Sequence, residues 1–517
     1  MAGMADPTFD LLVIGAGASG ASVAYEAVRR GLSVALLDAG DIGGGTSCRS
    51  TKLLHGGVRY LELAFKTADL AQLRLVREAL LERGHWLREA PFLAHRLELA
   101  LPTGTLWGQA YYRLGLGMYD ALAGRQNIGS SRLLGRRQLE RTLPGLKACQ
   151  GAVAYSDGQF DDARLNLLLA LTAARGGAEL RSHCSVVELE LGSDGRLCSA
   201  VSESRDGVRE RWRARVIVNA TGIGADGIRR MADASAAPRM LTSRGTHIVL
   251  KEQLCPAGLG LLVPSTDDGR VLFMLPFFGR TLVGTTDEAC PQAMATHPTD
   301  AEQGYLLDYV RRWFPGSSAT VTSRWAGGRP LLKPAGAGLD SSRVVREHEV
   351  ETLPCGLVSV MGGKWTTCRP MALDTLEAVE QQLGAPLSPP QPLPLIGAAE
   401  TPDGTAQGLE QQRLELEALL EDSPGRNEQI AHLQGSHGLN AKALIESAPA
   451  ADRVPLSGVI PICAAEIHHA IRHEHARDAD DVLSRRCRLA MVDQAEAQRL
   501  KPQVEQALDG AGINPAA

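Results

Sequence analysis

The sequence predicts an α/β protein in three parts: a doubly wound parallel sheet, an inserted, largely antiparallel domain, and a helical C-terminal domain. Residues 9–38 show a strand, a glycine turn, a helix and a second strand, which is the order of one βαβ unit. Between residues 246 and 287 short apolar runs alternate with turns, as in an antiparallel sheet. Beyond about residue 403 strand patterns nearly vanish and helical composition dominates.

The glycines of the βαβ unit carry a specific signal. Gly15, Gly17 and Gly20 stand in G-x-G-x-x-G spacing after the apolar run 11–14, and Asp38 ends the second strand. Such glycines permit a tight turn, the approach of a pyrophosphate to a helix N-terminus and close helix packing. The acid then accepts hydrogen bonds from a ribose hydroxyl. The unit predicts a dinucleotide site and leaves FAD and NAD open.

Composition excludes several classes of protein. The 517 residues allow two or three domains, and a net charge of -5 argues against a nucleic-acid partner held by bulk charge. The ten cysteines form no C-x-x-C, which favours reduced thiols in the cytoplasm over disulfides, zinc or iron–sulfur clusters. We see no signal peptide and no apolar run near the ~20 residues of a spanning helix. Any membrane contact is therefore expected to be peripheral.

Three further segments, 50–60, 216–222 and 358–367, end or follow an apolar strand in glycine or small polar residues. At each of them a backbone could approach a ligand, although any one alone is equally well a structural strand end. Together they indicate a large cofactor threaded between distant parts of the chain. A helix N-terminus after 362–363 would stabilise negative charge on a reduced flavin.

The chain resembles the FAD-dependent glycerol-3-phosphate dehydrogenases of the glycine-oxidase-like flavoprotein superfamily. Besides the fingerprint, the similar pieces are STKLLHGGVRYLE (50–62), YSDGQFDDARL (155–165), VNATG (218–222), GTHIV (245–249), GTTD (284–287), GGRPL (327–331), MGGKWTT (361–367) and EIHHAIRHEHARDADDVLSRR (466–486). The resemblance implies FAD and the oxidation of sn-glycerol 3-phosphate to dihydroxyacetone phosphate by hydride transfer to the flavin. It also implies electron transfer to a quinone by a cytoplasmic protein, peripheral on the inner face of the cell membrane, and leaves a homodimer open.

We expect a discontinuous FAD domain (1–95, 150–240 and 340–390), a substrate or cap domain (96–149 and 241–339) and a helical C-terminal domain (400–517). The resemblance places these residues at the cofactor: Gly15, Gly17, Gly20, Asp38, Thr46, Ser47, Ser50, Lys52, Leu53, His55, Ala220, Thr221, Gly222, Gly362, Gly363, Lys364 and Thr366.

A phosphorylated polyol requires cations, and arginine is favoured for bidentate phosphate contacts. The resemblance implies these substrate-binding residues: Arg59, Tyr60, Thr286, Asp287, Arg329 and Arg346. The expected catalytic residues are His247, Arg329 and Lys364. His247 is the candidate for the base or for orienting the substrate hydroxyl, because a histidine can take a proton near neutral pH.

Alternatives to the favoured reaction remain at this point. One is an oxidase that returns the electrons to oxygen, and another is a flavoprotein that acts on a different hydroxy or amino acid. A flavin-binding scaffold without turnover is disfavoured by the intact set of arginine, histidine and lysine residues.

Two charged runs near the C-terminus are interpreted as solvated helical faces, with no metal site and with a weak anionic-lipid contact as the alternative for the second run. They are the histidines at 468, 469, 473 and 475 and the RRCR run at 485–488. The aromatic and basic stretch 107–141 is a candidate for peripheral membrane docking, with ordinary packing as the alternative.

Overall fold

The computed structural model describes residues 8–58, 70–333 and 348–513. The described strands are β1 (Thr8–Ile14), β2 (Val34–Leu37), β3 (Leu53–Leu54), β4 (Ala94–Thr103), β5 (Arg132–Gly135), β6 (Gly151–Phe160), β7 (Glu179–Arg181), β8 (Cys184–Leu191), β9 (Leu197–Ser204), β10 (Arg209–Asn219), β11 (Met240–Leu250), β12 (Leu259–Val263), β13 (Leu272–Phe277), β14 (Arg280–Gly284), β15 (Glu288–Ala289), β16 (Val321–Leu332), β17 (His348–Thr352) and β18 (Val358–Gly362).

The described α-helices are α1 (Ala18–Val28), α2 (Leu70–Glu89), α3 (Leu106–Ala123), α4 (Arg136–Thr142), α5 (Asp162–Arg175), α6 (Ala225–Ala232), α7 (Asp300–Trp313), α8 (Cys368–Leu383), α9 (Pro402–Leu419), α10 (Arg426–His437), α11 (Ala441–Glu446), α12 (Ala464–His473), α13 (Leu489–Val492) and α14 (Gln494–Gly510). A π-helical segment spans Asp481–Arg486.

The first sheet has the strand order β17-β18-β10-β1-β2-β7, with β9 on β10 and β8 on β9. Strands β18, β10, β1, β2 and β7 are parallel. On one face the apolar residues of β1 and β2 pack against α1, α5 and α8, and on the other face they pack with residues of β9 and α6, so both faces of the parallel sheet are covered. The doubly wound sheet is therefore confirmed. Its register sets the ends of β1, β2, β10 and β18 side by side.

The second sheet follows the order β15-β11-β14-β13-β12-β4-β6-β3, with β16 on β11 and β5 on β6. It is largely antiparallel, which confirms that prediction, and among its described strands only β4 and β12 pair in parallel. Strand β6, which the expected domain division assigns to the FAD domain, pairs with β4 and β3 in this second sheet. When a strand is buried along its whole length, its residue pattern does not indicate which sheet it will join.

The C-terminal part is helical from α9 to α14, as predicted. The interpretation of the RRCR run as a solvated face is wrong: Arg485, Arg486 and Arg488 are buried. They form ion pairs with Asp41 and Asp162 of the N-terminal part. These partners lie more than 300 residues away in the sequence, so helical periodicity could not reveal them.

The histidine run was also interpreted as solvated, and the side chain of His469 is only partly so, with 30% of it exposed. Its side chain lies 3.6 Å from the buried Glu474 and packs against the His437 ring. Burial lowers the pKa of His469 to about 4. The His437 imidazole, His469 and Glu474 lie close enough to share an ion. However, Arg164 donates to both oxygens of Glu474 at 2.8 and 2.9 Å, so that carboxylate already has a cation.

Candidate active site

The glycine fingerprint forms a closely packed turn at the carboxyl ends of β1 and β10. Gly15 has a φ of +102°, and a Cβ there would lie 2.7 Å from the carbonyl oxygen of Ala220. A Cβ at Gly20 would lie 1.8 Å from the carbonyl oxygen of Gly15. Backbone contact therefore requires glycine at both positions, as in the strand–turn–helix junction of a dinucleotide site.

Asp38 lies beside this turn at the end of β2. Its carboxylate accepts hydrogen bonds from the backbone N–H groups of Ala16 at 2.6 Å and Gly40 at 2.9 Å. Burial raises the pKa of Asp38 to about 6, against the opposing effect of these N–H groups. A carboxylate has lone pairs beyond these two bonds, so a ribose hydroxyl remains a suitable partner.

Residues 41–56, here called the cofactor loop, connect the fingerprint to both other parts of the site. Ser47 Oγ accepts a hydrogen bond from the first backbone N–H of α1 at 2.8 Å, and its carbonyl accepts one from Trp365 Nε1 at 3.1 Å. Thr46 Oγ1 donates to the carbonyl oxygen of Gly328 at 2.5 Å. The loop thus joins α1, the segment after β18 and strand β16.

Ser50 and Lys52 of the cofactor loop direct their side chains to Asp162. The Lys52 ammonium contacts both carboxylate oxygens at 2.9 and 2.7 Å and the carbonyl oxygen of Cys48 at 2.7 Å. The Ser50 hydroxyl donates to the same carboxylate at 2.7 Å. These bonds use all three ammonium protons. The two side chains therefore hold the loop, and a cofactor contact at Ser50, Lys52 or the buried Leu53 would come from the backbone.

The end of β10 lies between the ends of β1 and β18. The Ala220 backbone N–H donates to the carbonyl oxygen of Ile14 at 2.8 Å. The Asn219 side chain accepts from the Thr221 hydroxyl at 2.7 Å and donates to Ser359 Oγ at 3.2 Å. The fold thus brings together three of the segments that the sequence pattern singled out.

The remaining predicted cofactor residues follow these strand ends. Gly222 has a φ of +57°, and Gly362 and Gly363 each have a φ of +76°. Lys364 is half-buried and precedes the turn that leads into α8, where Thr366 is buried. The positive φ angles explain the glycines, because other residues rarely adopt this conformation.

His247 lies in β11, opposite Gly284 of β14 and Trp325 of β16. Its ring stacks on Trp325 with centroids 4.2 Å apart, and Nε2 lies 3.0 Å from Thr51 Oγ1 of the cofactor loop. A Cβ at Gly284 would lie 2.1 Å from the ring. Only 2% of His247 is exposed. The ring therefore reaches the cofactor loop through the Thr51 hydroxyl.

The electrostatic environment of His247 keeps it neutral. Burial, followed by the positive charges of Lys52 and Arg329, holds the pKa of its imidazole well below the usual value. The imidazole is consequently unprotonated at neutral pH, and Nε2 can accept a hydrogen bond from a hydroxyl.

Arg329 lies in β16, and within the described part of the chain its guanidinium donates to three groups. Nη1 donates to Asp287 at 3.0 Å, and Nη2 donates to Thr285 Oγ1 at 3.0 Å and to the carbonyl oxygen of Thr286 at 2.8 Å. A Cβ at Gly245 would lie 2.6 Å from Nη2. Glycine at this position therefore makes room for the guanidinium.

Thr286 and Asp287 support this arrangement. The buried Thr286 hydroxyl donates to Glu302 at 2.8 Å and accepts from the Thr246 backbone N–H at 2.9 Å. Asp287 accepts hydrogen bonds from Ser243 and Arg329. Thr286 thus fixes β11 against α7, whereas Asp287 orients the arginine.

Arg59, Tyr60 and Arg346 lie outside the described residues, so their assignment to the substrate stays a prediction. His55 is half-buried and lies near the end of the cofactor loop.

Sequence reasoning missed three residues that the fold brings into the site. They are Thr51, which contacts His247, Trp325, which stacks on it, and Asp162, which anchors the cofactor loop. Thr51 and Asp162 both lie in segments with family resemblance, so their proximity to known motifs was a usable signal. Trp325 stands just before GGRPL and had no such signal.

Comparison with known proteins assigns the family. A model of FAD dependent oxidoreductases matches residues 10–372, and a model of the C-terminal domain of alpha-glycerophosphate oxidase matches residues 390–510. The mitochondrial glycerol-3-phosphate dehydrogenase of Mus musculus is 36% identical over 519 residues, which cover 96% of this chain and 70% of that protein. The mitochondrial enzyme of Arabidopsis thaliana is 36% identical over 532 residues, covering 98% and 84%.

The chain belongs to the FAD-dependent glycerol-3-phosphate dehydrogenase family. The fold agrees with the X-ray structure of the glycerol-3-phosphate dehydrogenase from Bacillus halodurans complexed with FAD. The TM-score is 0.76 at 24% identity, over 98% of this chain and 92% of that one.

FAD is the cofactor of this family, and the described residues fit it. The closed turn at Gly15 and Gly20 and the carboxylate of Asp38 suit the adenosine and pyrophosphate half. The ends of β10 and β18 lie at the same edge of the sheet as this turn. The cofactor loop connects this edge to Gly328, which precedes Arg329. The family match decides for FAD the question that the fingerprint alone left open between FAD and NAD.

Proposed function

We propose that the protein oxidises sn-glycerol 3-phosphate to dihydroxyacetone phosphate and passes the electrons to a quinone. One observation carries the proposal: an oriented guanidinium, Arg329, lies one residue from Gly328, whose carbonyl accepts the Thr46 hydrogen bond from the cofactor loop. An anion-binding group thus adjoins a flavin site. A substrate with a phosphate and a secondary alcohol suits this pairing.

Arg329 would bind one face of the substrate phosphate. Asp287 fixes the guanidinium but also neutralises part of its charge, so a phosphate dianion requires further cations. Arg59 and Arg346 are our candidates for these, and Lys364 is a candidate for a contact with the substrate or the flavin. The phosphate would thereby be held away from the carbon that is oxidised.

The hydroxyl proton would leave through Thr51 to His247. In the tautomer that carries its proton on Nδ1, Nε2 accepts from the Thr51 hydroxyl, 3.0 Å away. That hydroxyl would in turn accept from the substrate hydroxyl and connect the buried imidazole to the substrate by one relay atom. Substrate phosphate at Arg329 offsets one of the two positive charges that lower the pKa of His247. The imidazole thus becomes a better base when substrate is bound. Bound FAD supplies the acceptor for the hydride.

Substrate selectivity provides a test of this function. Purified holoprotein should reduce an artificial electron acceptor with glycerol 3-phosphate and form dihydroxyacetone phosphate. Glycerol, which lacks the phosphate, and glycine should each give less than about one hundredth of that kcat/KM, since charged hydrogen bonds are lost. Comparable turnover of glycerol or glycine would assign the protein to another hydroxy or amino acid.

A second candidate is an oxidase, because the C-terminal domain matches a model named for alpha-glycerophosphate oxidase. The two acceptors differ in their product. In aerated buffer the dehydrogenase should form less than one peroxide per ten substrates oxidised when a soluble quinone is present. Stoichiometric peroxide with no quinone reduction would establish the oxidase instead.

We further propose that helix α3 docks the protein on an anionic membrane. None of the helices within the described ranges is long and apolar enough to cross a bilayer. However, α3 and the adjacent β5 expose Leu106, Trp107, Leu114 and Leu133, and Trp107 is 87% exposed. Of the neighbouring exposed arginines, Arg132 and Arg136 pair with Glu98 and Glu140, and Arg137 adds positive charge beside this apolar surface, a combination that favours anionic lipid headgroups.

Vesicle binding tests the docking surface. Wild-type protein should sediment with vesicles that contain about 30% phosphatidylglycerol. The double variant Trp107→Ser/Leu114→Ser should lose at least about tenfold in apparent affinity, because two large apolar side chains no longer enter the interface. Leu414→Ser is the matched control, since Leu414 is also exposed but lies on α9. Equal binding of all three proteins would exclude α3 as the docking surface.

A further inference from the structure

A group of buried ion pairs joins the C-terminal part to the cofactor loop. The arginines are Arg485, Arg486 and Arg488, and their partners in the N-terminal part are Asp41 and Asp162. All five residues are buried, Arg488 to 1% exposure and Asp162 to 0%. None of them was expected to contact the cofactor or the substrate.

Arg488 reaches the middle of the cofactor loop. Its Nη2 donates to the carbonyl oxygen of Cys48 at 3.0 Å and to Asp162 Oδ1 at 2.9 Å. The same two acceptors bind the Lys52 ammonium, and Asp162 also accepts from Ser50. A C-terminal arginine therefore shares the two acceptors that fix residues 48–52.

Arg485 and Arg486 bind the first residue of the cofactor loop. Arg486 donates from Nη2 to Asp41 Oδ1 at 2.7 Å, and both arginines contact the other carboxylate oxygen. Two residues later, the Gly43 backbone N–H donates to the carbonyl oxygen of Ala16 at 3.1 Å. The segment that is anchored at Asp41 therefore also contacts the backbone of the glycine fingerprint.

Buried ion pairs of this kind favour one geometry strongly. Removing one partner leaves the other charge buried without compensation, which is costly. The loop segment between the two anchors holds Thr46 and Ser47, which contact β16 and α1. The conformation of these residues is therefore tied to the position of the C-terminal arginines.

We propose that the helical C-terminal domain is a clamp on the FAD-binding loop, in which Arg485, Arg486 and Arg488 act as positioning residues for the cofactor. FAD binding and docking of the 481–488 segment then stabilise each other, because coupling between two binding events is reciprocal. The inference rests on the family's use of FAD and does not depend on the identity of the substrate.

The release of FAD from variants tests the clamp. Arg488→Met should raise the Kd of the apoprotein for FAD, and the rate of FAD release seen by flavin fluorescence, at least about tenfold. Arg488→Lys should recover part of the loss, because it restores a charge at this position. Arg499→Met is the control: Arg499 is on α14 in the same domain and pairs with Glu496 on the surface. Thermal unfolding of each apoprotein separates FAD affinity from stability.

A folded Arg488→Met protein with an FAD affinity within twofold of wild type would overturn the proposal, as would lower apoprotein stability with unchanged affinity. If the variant does not fold, hydrogen exchange of the wild-type protein with and without FAD tests the clamp instead. Removal of FAD should speed exchange in residues 481–489 at least about fivefold and leave residues 430–433 of α10 unchanged. Equal exchange of the 481–489 segment with and without FAD would contradict the clamp.

Discussion

Replacing Arg329 with methionine is expected to lower kcat/KM for glycerol 3-phosphate by about 30-fold to 4,000-fold while FAD stays bound. The range corresponds to the roughly 2–5 kcal/mol lost when one partner of a desolvated charge pair is truncated. Methionine retains much of the volume of the side chain but cannot bind phosphate. Most of the loss should appear in KM, because the phosphate contact is present in the ground state as well as in the transition state. Steady-state kinetics with an artificial acceptor measure it.

The matched control is Arg324→Met. Arg324 lies on the same strand, five residues away and therefore on the opposite face, where it pairs with Asp300. Its kinetics should remain within about twofold of wild type, as for most surface substitutions. Loss of flavin absorbance from purified Arg329→Met would place Arg329 at the cofactor, and an unchanged KM would remove it from the phosphate site.

Replacing His247 with asparagine is expected to reduce kcat by about 10²-fold to 10⁴-fold, the usual contribution of a general base. The lowered pKa of His247 means that the wild-type imidazole is in its neutral, proton-accepting form throughout the neutral pH range. Thr51→Val should produce a similar loss of kcat, because it removes the relay hydroxyl while keeping the shape of the side chain. Thr51→Ser should restore most of the activity.

The matched control for this pair is His95→Asn, since His95 lies in β4 of the same sheet and contacts Gln159. The relay also predicts a distinct pH profile. The activity of the His247→Asn protein should rise with pH, because hydroxide or solvent must take the proton, whereas wild-type activity should be nearly level between pH 7 and about 9. Full activity of Thr51→Val would exclude the relay, and full activity of His247→Asn would exclude the base.

The sequence was most informative where structure depends on neighbouring residues. The glycine spacing and the apolar runs around it predict the turn at Gly15 and the parallel sheet, because these depend on local backbone geometry. The shared pattern of the strand ends at Ala220 and Gly362 indicated one large cofactor, and similarity to one family was needed to name it as FAD. Parallel pairing then explains why distant strand ends lie side by side.

The sequence was least informative about partners that are distant along the chain. Lys52 was expected at the cofactor, but its ammonium is used by Asp162 and Cys48. The arginines of the RRCR run were expected in solvent because a charge run on a helix is most often exposed. Their partners become visible only when the C-terminal helices pack on the cofactor loop. Buried polar groups require such partners, and a one-dimensional pattern does not identify them.

Asp287 and Thr51 illustrate the same limit within the site. The sequence placed Asp287 on the substrate side, and the structure shows it holding the guanidinium that would meet the substrate. Thr51 was not predicted, although it lies between the predicted cofactor residues Ser50 and Lys52. Its hydroxyl contacts His247. In both cases the residue type was informative, but the contact that defines its role joins segments that are distant in the sequence.

Anaerobic mixing of the purified holoprotein with glycerol 3-phosphate tests the central claim most directly. The oxidised flavin absorbance should be bleached within the time of one turnover, and one dihydroxyacetone phosphate should form for each FAD reduced. The same mixing with glycerol should leave the spectrum unchanged. A flavin that stays oxidised in the presence of saturating glycerol 3-phosphate would contradict the proposed function.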